Sequence, residues 1–128
     1  SMQSMKEIMI GLMLFIAILL TPLALTAQVD TFYFSAVLEK ANQGDRSAAF
    51  AIGQMYRDGE GCTVDPVASY QWFYIANRLG ESAAFVAADE LAESMAPQQL
   101  RQAQQQAKVW MAGYLAEHGN PDNRQASN

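Results

Sequence analysis

The sequence predicts an all-α protein, a short right-handed solenoid of about five antiparallel helices, and three observations carry that expectation. The first is an internal repeat: Gly44-Asp45-Arg46-Ser47-Ala48-Ala49-Phe50 returns as Gly80-Glu81-Ser82-Ala83-Ala84-Phe85, and a third glycine follows at Gly119. Glycines 36 and then 39 residues apart suit units of one helix pair, each too small to bury its own apolar face, so that neighbouring units must stack. The second is the recurrence of apolar residues every three or four positions between the glycines. The third is that no segment sustains the strict alternation of a half-buried strand.

The elements follow in order. Residues 29–43 carry Phe32, Ala36, Val37 and Ala41 with no proline and stop at Gly44, as a helix closed by a glycine does. Asp45 or Ser47 caps a second helix, whose Ala48, Ile52, Met55 and Tyr56 share one face and which ends at Gly59-Glu60-Gly61. Asp65-Pro66 opens the third, a capping acid before a proline whose missing amide proton costs nothing at the first helical position. Its face holds Val67 or Ala68, Trp72, Ile75, Ala76 and Leu79, and Gly80 closes it. Ser82 is expected to cap the fourth helix, where Ala83, Ala84, Val86, Ala87, Leu91 and Met95 alternate with Asp89, Glu90 and Glu93. Pro97 opens the fifth, with the stripe Leu100, Ala103, Ala107, Trp110, Met111, Tyr114 and Leu115, and glutamines fill its other face. Small residues at Ala48, Ala76, Ala83, Ala87 and Ala103 are expected to let helices approach, with Phe50, Tyr56, Trp72 and Trp110 filling the gaps.

The chain divides into three parts. Residues 1–27 hold Lys6, an almost wholly apolar run over 8–20, then Thr21-Pro22-Leu23-Ala24-Leu25-Thr26-Ala27, the charged, apolar and small-residue parts of an export signal. The expected cut follows Ala27, which puts Leu25 third before it, or follows Thr26, which puts Ala24 there. The alternative is a retained anchor, since residues 8–27 match the roughly 20 residues that a helix needs to cross a bilayer. Ser1 reads as a cloning remnant, with the native start at Met2 or Met5. Residues 28–119 form the helical domain, and residues 120–128, rich in Asn, Asp and Pro, form a frayed tail. The expected location is periplasmic or secreted, with inner-membrane anchorage facing the periplasm as the alternative.

The 128 residues carry 8 Lys and Arg against 13 Asp and Glu, a formal charge of −5. Losing residues 1–27 removes one base, Lys6, and one acid, Glu7, so the balance holds. An acidic chain without a Lys or Arg cluster lacks the patch that releases counterions on nucleic acid, so no nucleic-acid partner is expected. Cys62 stands alone: it is a small loop residue or, if exported, one half of a mixed disulfide with a partner.

Ala48, Ile52-Gly53, Met55-Tyr56, Gly59, Gly61, Asp65, Trp72, Ala76 and Gly80 stand at the spacing of the Sel-one-like repeat, a helical-repeat family related to the tetratricopeptide repeat, which the chain closely resembles over residues 34–110. Cys62 stands where that family's loop usually has valine, Ser69 where it has alanine, and Asn77 in place of the second of two alanines. Trp72-Phe73, Leu79-Gly80, Leu91-Ala92, Pro97 and Trp110 resemble the terminal units of bacterial members. The resemblance implies an interaction scaffold of the kind found in exported adaptors, in assembly factors of envelope machines, and in immunity proteins that neutralise toxic effectors. Its motif residues are frame: Gly53 admits the neighbouring helix, Gly59 and Gly61 take backbone angles that side chains resist, and Trp72 fills the seam.

No catalytic, cofactor or metal residues are expected. His118 is the one histidine, placed where an imidazolium favours a helix C-terminus, and no second His or Cys completes a ligand set. Ser47, Ser69 and Ser82 read as caps or small packing residues, not nucleophiles. Asp58-Gly59-Glu60-Gly61 with Asp65 lacks the spacing and closing glutamate of a calcium loop, and Asp89, Glu90 and Glu93 spread around a solvated face. What remains is surface. Partner-binding candidates are Gln54, Arg57 and Asp58 on the second helix with Asp89 and Glu93 on the fourth, as a concave face, and the aromatic pair Tyr70 and Tyr74 on the third. The function expected is non-enzymatic: a periplasmic adaptor or assembly scaffold that binds a protein through its helical surface. The alternatives are a membrane-anchored structural subunit of an envelope complex and an immunity protein.

Overall fold

Local capping chemistry sets most of the helix boundaries. The computed structural model describes residues 1–120, with the backbone alone over 17–24, and among these it contains five helices and no strand: α1 (Met2–Asn42), α2 (Arg46–Asp58), α3 (Pro66–Arg78), α4 (Ala83–Ala92) and α5 (Pro97–His118). Asp45 caps α2 by accepting from the Ala48 amide at 2.9 Å, and Asp65 caps α3 by accepting from the Ala68 amide at 3.0 Å. Each carboxylate satisfies an amide that the first helical turn would leave without a partner. Gln99 does the reverse for α5, its Oε1 accepting from the Ala96 amide at 3.1 Å. Glycines at 44, 59 and 80 adopt left-handed φ of 91°, 75° and 108° where the chain leaves α1, α2 and α3. Of the expected tail only Asn120 is described; residues 121–128 lie outside the described residues.

Two expectations about helix starts are corrected. The first helix begins not near Val29 but at Met2, and runs unbroken through Pro22 and both expected cleavage positions to Asn42. Thr21-Pro22 is the one local signal for a break in the apolar run after Gly11, and the helix continues through it. Ser82 occupies the N-cap position of α4 without capping it: its backbone is already helical at φ −66° and its side chain makes no cap bond. Backbone bonds from Ala84 to the Glu81 carbonyl and from Phe85 to the Ser82 carbonyl, each 3.2 Å, turn the chain there instead.

The core gathers around α3, against which α2, α4 and α5 all pack, while α1 packs on α2. Phe73 and Ile75 on α3, Ile52 on α2 and the Ser69 side chain are fully enclosed. Ser69 is the one buried polar residue among those described and donates to the Gly53 carbonyl at 2.6 Å, so its burial leaves no orphan. A Cβ on Gly53 would stand 2.5 Å from the Phe73 ring, which shows why α2 carries no side chain there. Phe50 meets Phe73 at 5.6 Å, and Trp72 meets Trp110 of α5 edge-on at 5.6 Å. The expected stripe of α5 is the face that packs, with Ala103, Ala107 and Met111 buried. Ala83 and Val86, expected in the packed face of α4, point to water; Ala84 and Ala88 are the buried residues of the helix, because α4 packs chiefly on α3, along a narrow strip.

α1 joins this body only at its C-terminal part. Phe34 meets Tyr56 edge-on at 5.3 Å, Val37 and Leu38 pack against the core, and Ala41 is fully buried. Gly61 comes so close to α1 that a Cβ there would lie 2.5 Å from the Asp30 carbonyl oxygen, which marks where the packed part begins. N-terminal to it Val29 is 59% exposed and Ile8 69% exposed. Among the described residues no helix is long and apolar enough to cross a membrane. The candidate span 8–27 falls partly on residues 17–24, whose side chains lie outside that description.

Candidate functional site

α4 and α5 both pack chiefly on α3. A strip of α3 is therefore left between them, and the side chains on it are Tyr70 and Tyr74, four residues apart and hence on one helix face. On the α4 side this forms a groove of about 160 Å³ lined by Tyr70, Tyr74, Asn77, Phe85, Ala88, Asp89 and Ala92. On the α5 side Tyr74 also borders a depression of about 230 Å³ with Arg78, Lys108, Met111, Ala112 and Leu115. Tyr70 forms the floor, nearly buried, its hydroxyl accepting from Gln104 Nε2 on α5 at 3.4 Å. Tyr74 is half-buried, and Phe85 stands on the rim 63% exposed.

Three of the seven candidates, Tyr70, Tyr74 and Asp89, thus meet in one place although sequence reasoning assigns them to two different surfaces. The remaining four stand apart from it. Gln54 is half-buried on α2. Arg57 and the adjacent Asp58 are exposed and occupied with each other through bonds of 2.9 and 3.0 Å. That pairing holds the Asp58 carboxyl below its ordinary range and raises the Arg57 guanidinium further, with smaller help from Glu90 and Glu60. Arg57 also lies 5.9 Å above the Phe73 ring, so it caps the core instead of reaching outward. Glu93, the residue that follows α4, is exposed and outside the groove. Sequence reasoning missed Phe85, Arg78 and Lys108. The signal for Phe85 was its place as the repeat partner of Phe50; nothing local marks the two bases.

The other polar groups have structural employment. Asp65 caps α3 and Asp58 holds Arg57, so neither is spare for a cation in the 58–65 loop. Among the described residues no group of three or more His, Cys, Asp and Glu could hold a metal ion. His118 Nδ1 lies 3.1 Å from the Tyr114 carbonyl oxygen, and its ring stacks on Tyr114 at 4.4 Å, ending a run of aromatic contacts through Trp110 to Trp72. Cys62 donates to the Met55 carbonyl at 3.4 Å; burial, then the charges of Asp65 and Glu60, push its thiol above the ordinary range, which disfavours the reactive thiolate. The groove itself holds one carboxylate, two phenols, the Asn77 amide and apolar walls. No family model matches the chain, and no curated protein matches it.

Proposed function

We propose that the chain is a protein–protein interaction module of the Sel-one-like repeat kind, a short solenoid that acts as an exported adaptor or assembly scaffold and performs no reaction of its own. The observation that carries this reading is the convergence of Tyr70, Tyr74 and Asp89 with the exposed Phe85 in one groove. Aromatic side chains held half in and half out of a helical surface are favoured interface anchors, since they bring large contact area at little entropic cost. The concave candidates Gln54, Arg57 and Asp58 support it less, because the charged pair is already satisfied internally.

The test is site-specific photo-crosslinking in the producing cell, with a photoreactive phenylalanine analogue replacing Tyr74 in the full chain and, separately, Gln54. A discrete adduct with another protein from position 74 and none from position 54 is the expected result. Adducts from neither position would reject the module.

A second reading, an anchored structural subunit of an envelope complex, is favoured by one observation: α1 passes from the apolar run into the packed body as a single helix. A protease that removes a signal must first unwind that helix near Ala27. N-terminal sequencing of the protein recovered from cells separates the two, since a start near Gln28 rejects the anchor.

A further inference from the structure

The groove has a polarity of charge that narrows what can fill it. On one side stands α4, whose ionisable residues with the following Glu93 are all acidic, and Asp89 lines the groove. In the adjoining depression, which shares Tyr74 with the groove, stand Arg78, one turn further along α3, and Lys108 of α5. The floor between the two is aromatic. Its walls are helices, whose backbone donors and acceptors are used within them. An extended peptide laid on such a floor would find no strand edge to pair with, and its own backbone groups would be desolvated without partners. A helix brings its backbone bonds with it.

We infer that this groove receives an amphipathic helix of a partner, its apolar stripe over Tyr70, Tyr74 and Phe85, with Lys or Arg along the flank that faces Asp89 and Asp or Glu along the flank that faces Arg78 and Lys108. The inference rests on the interaction reading above and adds the chemistry of the occupant. It also fixes the direction in which the helix lies. Turning such a helix end for end exchanges its flanks, so only one orientation sets unlike charges against both walls, and the other sets like charges against both.

The experiment uses three synthetic helical peptides of about 16 residues with the same leucine stripe. One carries lysines on one flank and glutamates on the other, the second carries lysines on both, and the third glutamates on both. Their affinities for the full chain are measured by fluorescence anisotropy at physiological salt. The split-charge peptide is expected to bind best, each uniform peptide being weaker by about threefold or more from its one mismatched wall. Asp89→Lys should transfer the preference to the all-glutamate peptide, and Tyr74→Ala should weaken all three by about tenfold. Equal affinities, no binding at millimolar peptide, a preference that Asp89→Lys leaves in place, or a proline-interrupted peptide that binds as well as the helical one would each overturn the inference. The crosslinking result tells the two ideas apart: an adduct at position 74 with indifferent peptides leaves the interaction module standing and removes the charge-split helix.

Discussion

The turn at Gly44 and the turn at Gly80 repeat each other in sequence, and the structure makes them alike on one side and unlike on the other. The ways out of the preceding helix match bond for bond. Gly44 donates to the Ala41 carbonyl at 3.0 Å and Asp45 to that of Lys40 at 3.2 Å, while Gly80 donates to Asn77 at 3.0 Å and Glu81 to Ala76 at 2.9 Å. The starts of the following helix do not. In the first copy Asp45 is the cap, Ala48 and Ala49 are both buried, and Phe50 lies on Phe73. In the second, one residue shorter, the start is uncapped, only Ala84 of the Ala-Ala pair is buried, and Phe85 faces water.

Neighbours account for the difference. α2 is held between α1 and α3, so Ala48, Ala49 and Phe50 in its first turns all find cover; the one extensive neighbour of α4 is α3. A repeated phrase specifies a helix and how the chain leaves the one before it, whereas burial is decided by what comes next to it. The second copy is a unit with no outer neighbour among the described residues, and the phenylalanine that should be core is left as rim. The same absence opens the groove.

The largest test of the comparison is at the glycines themselves. A Cβ on Gly44, at a φ of 91°, would overlap the outer end of the Tyr114 ring, which is stacked between Trp110 and His118, so Gly44→Ala combines left-handed strain with a clash against α5. A loss of about 3 kcal/mol is expected, from about 1 kcal/mol of strain and about 2 of overpacking. At Gly80 the nearest atom is the far end of the Arg46 side chain, 3.2 Å away, which can move; Gly80→Ala should cost about 1 kcal/mol, the strain alone. Urea unfolding of the two variants measures the difference. Equal costs would mean that the turns are equivalent in packing as well as in sequence.

Next come the phenylalanines. Phe50→Ala removes a half-buried ring from contact with Phe73 and should destabilise by about 2 kcal/mol. Phe85→Ala removes a ring from water and should stay within about 0.5 kcal/mol of the parent, while weakening whatever the groove binds. A Phe85→Ala variant as unstable as Phe50→Ala would show that the second copy is packed after all.

Much of this was legible in the sequence because it is local chemistry. Asp45, Asp65-Pro66, Pro97 and the glycines announce helix ends through bonds made within a few residues, and the stripe of α5 follows from its 3.6-residue period. Three things were not legible. The extent of α1 was hidden because an export signal and a helix can be the same residues, and composition separates them only by what happens to the chain later. Phe73 was left out of the face assigned to α3 because a one-stripe reading assumes a single neighbour, and α3 has three. The groove depends on α4 and α5 both choosing α3 over each other, a non-local choice that no spacing within either helix records.

The smallest effect bears most directly on why α2 and α4 begin differently. Asp45→Ala deletes the acceptor of the Ala48 amide and leaves that donor without a partner at the part-buried start of α2, for which about 1 kcal/mol is expected. Ser82→Ala deletes a hydroxyl that makes no cap bond on a residue already in helical geometry, so a change near zero is expected, and a slight gain is natural because alanine is the better helix former. Amide hydrogen exchange localises the two outcomes: the first turn of α2 should lose protection in Asp45→Ala, and the first turn of α4, already held by backbone bonds to Glu81 and Ser82 three residues back, should exchange as before in Ser82→Ala. If Ser82→Ala instead loosens α4 as much as Asp45→Ala loosens α2, the serine is capping in solution and the shorter second copy begins its helix by the same device as the first.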